Sequence, residues 1–174
     1  GSLEFNMVVL AASSTGTGLT IGNQVTVQYS VAAQTPFDID FTHADNVPVS
    51  TTGFIFAAPV DLAVGQQVSV RRNSSSTASL IKADRVRLRS ARVTANVQSV
   101  GAPNINLGTI PSIFSAHGVT QIQALTSAET IFSENGSAIA ITQIPVSGVV
   151  SVRGPLFNVS GTRTLVAAKV VLKP

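Results

Sequence analysis

The sequence predicts an all-β protein, and three observations carry that prediction. β-Branched residues dominate, with 24 Val and 12 Ile beside 17 Thr and 20 Ser. Such side chains lose less freedom on a pleated strand than in a helix. Apolar and polar residues alternate with period two in stretch after stretch, which places one set on a buried face. Clusters of Gly, Asn, Ser and Pro interrupt the alternation where turns are needed.

The elements follow in chain order. Val25, Val27, Tyr29 and Val31 share one strand face; Phe37, Ile39 and Phe41 alternate with Asp38 and Asp40. Residues 67–71 alternate, and in 83–89 Val86 and Leu88 oppose Arg85, Arg87 and Arg89. Val93, Ala95 and Val97 repeat the pattern, as do Ile105 and Leu107, and residues 119–125, 150–153 and 165–172 complete the set. Turns are expected at 15–18, 73–77, 101–104, 134–136 and 160–161, with one helical turn near 112–116. The aromatic residues Tyr29, Phe37 and Phe41 read as core, and Phe54 and Phe56 as core or inter-module packing.

The chain of 174 residues has room for one β domain or two modules of roughly 85 residues. Sliding it by 82 to 84 positions lays Leu62-Ala-Val-Gly-Gln-Gln-Val-Ser-Val-Arg71 over Ile144-Pro-Val-Ser-Gly-Val-Val-Ser-Val-Arg153. Residues 83–88 then fall on 167–172, and 37–53 on 120–136. Three blocks in one order argue for duplication. The expectation is two tandem, small OB-like or Greek-key β-barrels, residues 3–90 and 91–174, with a single β-sandwich as the alternative. Gly53, Gly65, Gly136 and Gly148 would serve the turns, and Leu62, Val64, Val68, Val70, Val86 and Leu88 the first core.

The pattern Leu62, Val64, Gly65, Val68, Val70, Arg71, then Ala83, Val86 and Leu88, resembles a bacterial envelope or lipoprotein-associated domain family of unknown function. The resemblance implies small tandem β-barrels, secreted or lipoprotein-borne, and brings no catalytic residue set. The second copy departs from the pattern, with Ser147 at the glycine position and Gly148 one place later.

Composition narrows compartment and chemistry. The chain has no Cys, which removes disulfides, thiolate catalysis and cysteine zinc sites. No apolar run reaches the ~18 residues of a membrane-spanning helix. Gly1-Ser2 reads as an expression scar, so a removed leader is expected, and low charge with abundant Ser and Thr fits a periplasmic, outer-membrane-associated or secreted protein.

Charge is uneven: residues 1–70 carry −5, residues 71–92 carry +6 and the remainder +2. If residues 68–71 and 84–89 pair as a hairpin, Arg71, Arg85, Arg87 and Arg89 form a candidate ligand-binding strip. Guanidinium forks suit the oxygens of an anionic polysaccharide or lipid surface, and an envelope protein is a further candidate partner. The competing reading is a solvated strand face neutralised by the acidic first half. Nucleic-acid readout is disfavoured because no aromatic ring interleaves with Arg85 to Arg89. No cofactor is called for.

Asp38, Asp40, His43 and Asp45 are the one cluster that could hold a metal ion or serve a carboxylate- or metal-dependent hydrolase. The only other histidine is His117, away from the repeat position of His43, and a polar loop explains the cluster more simply. No Gly-x-Ser-x-Gly elbow and no phosphate loop occurs. The sequence therefore favours a non-enzymatic envelope module with a structural or binding role. A hydrolase and a subunit of a surface assembly are the alternatives.

Overall fold

The alternating stretches are strands. A computed structural model describes residues 2–10, 18–30, 34–40 and 50–174. Its strands are β1 (Ser2–Val8), β2 (Gln24–Ser30), β3 (Phe37–Ile39), β4 (Gln67–Arg72), β5 (Leu80–Gly101) and β6 (Asn104–Gly108). After one helical turn, α1 (Ser112–Ser115), come β7 (Ile122–Leu125), β8 (Ile131–Glu134), β9 (Ser137–Ala138), β10 (Val149–Val159), β11 (Thr162–Val166) and β12 (Lys169–Lys173). The protein is all-β, as expected. Its strands join in one mixed sheet of 12, where two separate barrels were expected.

Contacts divide the chain into a first unit, Gly1–Asp38 with Val68–Arg87, and a second, Ile39–Gln67 with Leu88–Pro174. In the first, β1 pairs antiparallel with β2, and β2 pairs parallel with the start of β5 (Thr26↔Leu80 to Gln28↔Lys82). β4 also pairs with β5. Val25, Val27 and Tyr29 are buried on one face of β2, and Phe37 meets Tyr29 edge-on with ring centroids 5.6 Å apart. Val31 and Phe41 lie outside the described residues. Val86 is fully buried, whereas Leu62, Val64, Val68 and Val70, expected in the same core, are only half-buried.

Within the second unit the pairings run in a cycle. From Leu88 onward β5 pairs with β6, β6 with β7, β7 in parallel with β11, β11 with β10, and β10 back with β5. Val93, Ala95, Val97, Leu107, Ile122, Val150, Val152, Leu156 and Leu165 form its core. β11 and β12 are successive parts of one hairpin arm on β10, interrupted at Ala167 and Ala168. Gly154 sits opposite that interruption, where an added Cβ would lie 1.8 Å from the Val166 carbonyl oxygen.

Two tight turns follow the sequence signals. Asn135-Gly136 (φ 48° and 85°) joins β8 to β9, and Ser160-Gly161 (φ 48° and 86°) joins β10 to β11. Positive φ at both central residues matches the right-handed twist of the flanking strands. β5 spans 22 residues by breaking its own alternation. Buried positions 81 and 83 give way to 86 and 88, then to 91, 93, 95 and 97. Each three-residue step has the spacing of a bulge, which re-aims one side chain and bends the strand.

Local structure also recurs along the chain. A 3-10 turn at Pro59–Asp61 precedes β4, and another at Ile141–Gln143 precedes β10. In the first, the Ala58 N–H donates to Asp61 Oδ2 at 3.0 Å; in the second, the Ala140 N–H donates to Gln143 Oε1 at 2.7 Å. The Gln66 N–H then reaches the Ala63 oxygen, as the Gly148 N–H reaches that of Pro145. Gly65 has φ 92° and Ser147, 82 positions later, has φ 69°. The serine that breaks the sequence pattern therefore keeps the left-handed step of the glycine.

Candidate functional site

Alternation places the arginines. Because Val86 and Leu88 are fully buried, Arg85, Arg87 and Arg89 share the opposite face of β5, and all three are half-exposed. Arg71 lies exposed near the end of β4, and the Asn73 N–H, bonded to the Lys82 oxygen at 2.9 Å, holds that strand end beside β5. The hairpin that the strip requires is thus present.

The acid facing the strip comes from β3. Arg85 Nε lies 3.3 Å from Asp38 Oδ2, and Arg87 Nε lies 3.0 Å from Asp38 Oδ1. One carboxylate so bridges two guanidinium groups, each through its inner nitrogen, and the three groups together keep a net charge of +1. All are between 36% and 38% exposed, so solvent screens the cluster and its contribution to stability is small. Arg71 and Arg89 have no acidic partner within ion-pair distance among the described residues. Arg85 and Arg87, still more than a third exposed beside Asp38, keep guanidinium groups of the kind that suits negative oxygens.

The metal cluster is placed only in part. Asp38 is engaged by the two arginines, while the Asp40 N–H donates to the Leu88 oxygen at 2.8 Å and the residue as a whole is 9% exposed. His43 and Asp45 lie outside the described residues. Among the described residues no three His, Cys, Asp or Glu side chains gather as metal ligands. His117 is exposed at the end of α1, with Nδ1 2.9 Å from the Ile113 oxygen.

The sequence did not single out the role of the segment 50–66. Phe54 packs on Phe157 with ring centroids 4.9 Å apart, and Gln66 Nε2 donates to the Leu156 oxygen at 3.0 Å. The Ser50 N–H donates to Glu129 Oε2, and the Phe114 ring lies against Gly65, where a Cβ would come within 1.9 Å. Phe56, expected as core or packing, is 4% exposed. The apolar pattern of 54–56 hinted at burial, but a partner about a hundred residues away leaves no local signal.

Comparison with family models, curated proteins and solved structures found no match. No helix among the described residues is long and apolar enough to cross a membrane.

Proposed function

We propose that the chain is a non-enzymatic module of the bacterial cell envelope, acting at the periplasm, the outer membrane or outside the cell. On this reading it binds an anionic polysaccharide through Arg71, Arg85, Arg87 and Arg89. The observation that carries the reading is the excess of positive charge left after Asp38 has bridged Arg85 and Arg87. A linear polymer with regularly spaced carboxylates or sulfates meets alternate arginines along a strand at a repeat of ~7 Å, twice the rise per residue.

The architecture proposed with it is a duplicated small β module of the OB-like kind. Its support is the five-strand pairing cycle with one parallel pair, and the turn, capping bond and left-handed step that recur 82 residues apart. OB-like barrels present ligand surfaces on strand faces of this sort. The resemblance of the Leu62 to Leu88 pattern to a lipoprotein-associated family supports the compartment.

The test is titration of the full chain with a sulfated or uronate polymer, followed by light scattering or calorimetry across a salt series. The double variant Arg71→Glu/Arg89→Glu leaves the Asp38 bridge intact and should weaken binding at least about tenfold, with a shallower salt dependence. The triple reversal of Arg85, Arg87 and Arg89 to Glu should abolish it. Binding unchanged in both variants rejects the strip, and preferential binding to anionic vesicles over the polymer transfers the ligand class to lipid.

A further inference from the structure

We infer that the first unit is a strand acceptor: the open edges of β1 and β4 take up an extended, aliphatic, acid-bearing segment of a partner protein. The inference rests on the proposed correspondence between the two units and does not require the strip to bind a polysaccharide, although Arg71 takes part in both readings. In the second unit, β6 pairs antiparallel with β7, β7 parallel with β11, and β11 with β10. In the first unit the pairings run in a like order, β1 antiparallel with β2, β2 parallel with β5, and β5 with β4, while β3, which the repeat lays on β7, also pairs with β5. In the second unit a further strand closes the series: β5 from Leu88 on pairs antiparallel with both β6 and β10. No described strand pairs with the free edge of β1 or of β4.

Burial records the difference at matched positions. Val150 and Val152 stand opposite Ala95 and Val93 of β5 and are completely buried. Val68 and Val70, 82 positions earlier, remain half-exposed. On β1, Leu3 stands opposite the buried Tyr29 and faces the same side, yet is 53% exposed. The backbone agrees. The Val9 N–H bonds to the Asn23 oxygen at 2.9 Å, and the Thr26 N–H, opposite Asn6, turns away to the Ser79 oxygen at 3.2 Å. Strict alternation then directs the peptide groups of Glu4, Asn6 and Val8 to the unpaired side. An edge of this kind binds a strand through main-chain hydrogen bonds and selects it by alternate side chains.

Charge decides the occupant. β4 ends in exposed Arg71 and Arg72, without an acidic partner in ion-pair range among the described residues. Arg153, the counterpart of Arg71, faces Arg92 in the second unit. An acid at the equivalent point of an incoming strand replaces that like-charge pairing with an attractive one. The partner is therefore an extended segment with small and β-branched residues alternating as in Ala91, Val93 and Ala95, and an acidic residue opposite Arg71.

The probe is the peptide Ser-Ala-Glu-Val-Thr-Ala-Asn-Val, residues 90–97 with Arg92→Glu, added to the full-length 15N-labelled chain. Amide exchange at Glu4, Asn6 and Val8 should be fast in the free protein and slow at least about tenfold at saturation. The peptide retaining Arg92 should bind severalfold more weakly at low salt, and Val70→Lys should abolish the protection. Should Val70→Lys fail to fold, Glu4→Pro removes one outward donor while leaving the β1–β2 ladder in place, and must weaken binding likewise. Four results overturn the inference. They are protection of those three amides without peptide, protection confined to β10, no preference for the acidic peptide, or self-association that protects the amides without it, which makes a second copy the occupant. The triple reversal of Arg85, Arg87 and Arg89 leaves Arg71 in place, so it should abolish polysaccharide binding without weakening the peptide, and the two readings fail separately.

Discussion

Gly154→Ala tests the packing of the second unit at its tightest point. The added methyl would sit 1.8 Å from the Val166 oxygen, 2.9 Å from its carbonyl carbon and 3.3 Å from the Ala168 nitrogen, all backbone atoms that no rotamer change can move. Restoring ordinary contact requires β10 and the β11–β12 arm to separate by more than about 1 Å. Retreat is blocked on the other side, where Gly154 pairs with Ala91 of β5. The nearest bond at risk is from the Ala168 N–H to the Arg153 oxygen, 2.9 Å, followed by the ladder from Leu156↔Leu165 onward. Two ladder bonds at ~1 kcal/mol each and an overpacking cost of ~1–3 kcal/mol give a loss of about 3–5 kcal/mol. Urea denaturation followed by far-UV circular dichroism is the appropriate assay, because the chain has one Tyr and no Trp. At a slope of ~2 kcal/mol per molar the midpoint should fall by roughly 1.5–2.5 M. Gly136→Ala is the control: φ is 85° but nothing lies within 4 Å, so only the conformational cost of ~1 kcal/mol applies. A Gly154→Ala midpoint no lower than that of Gly136→Ala would refute the close-approach argument.

Two further outcomes follow from burial and charge. Val152→Ala should cost about 2–3 kcal/mol, because two buried methyl-sized groups and a cavity are involved, and Val70→Ala about 1 kcal/mol, both read from urea midpoints. Equal losses would mean that the matched valines have the same environment. Asp38→Asn should change stability by no more than about 1 kcal/mol, since the bridge is more than a third exposed, while tightening polyanion binding at low salt. A drop in affinity would show that Asp38 orients the arginines more than it neutralises them.

What the sequence revealed depends on how local each determinant is. The β2 face, the alternation through Val86 and Leu88, and the turns at Asn135-Gly136 and Ser160-Gly161 are readable because side-chain period and positive φ are properties of neighbouring residues. The interruption within 165–172 is not. Residues 164–168 are all buried, and two successive alanines carry no preference for either face. The association of 50–66 with the second unit is equally hidden, since Gln66 and Leu156 meet across 90 positions. At the candidate site, the common face of Arg85, Arg87 and Arg89 was legible from alternation. The bridging role of Asp38 was legible only as a charge balance, because its partners lie 47 and 49 residues away. The two 3-10 turns left no periodic signal, being three residues long.

The short turns before β4 and β10 share a further property. Each is a self-contained run-up to a strand, in which a side-chain oxygen of Asp61 or Gln143 ties down the entering amide and the backbone then makes its left-handed step. Aspartate and glutamine serve alike in the first task, glycine and serine in the second. The shape is thus inherited through an acceptor at one position and a tolerated torsion at another, so a glycine-based signature alone would overlook half of such cassettes.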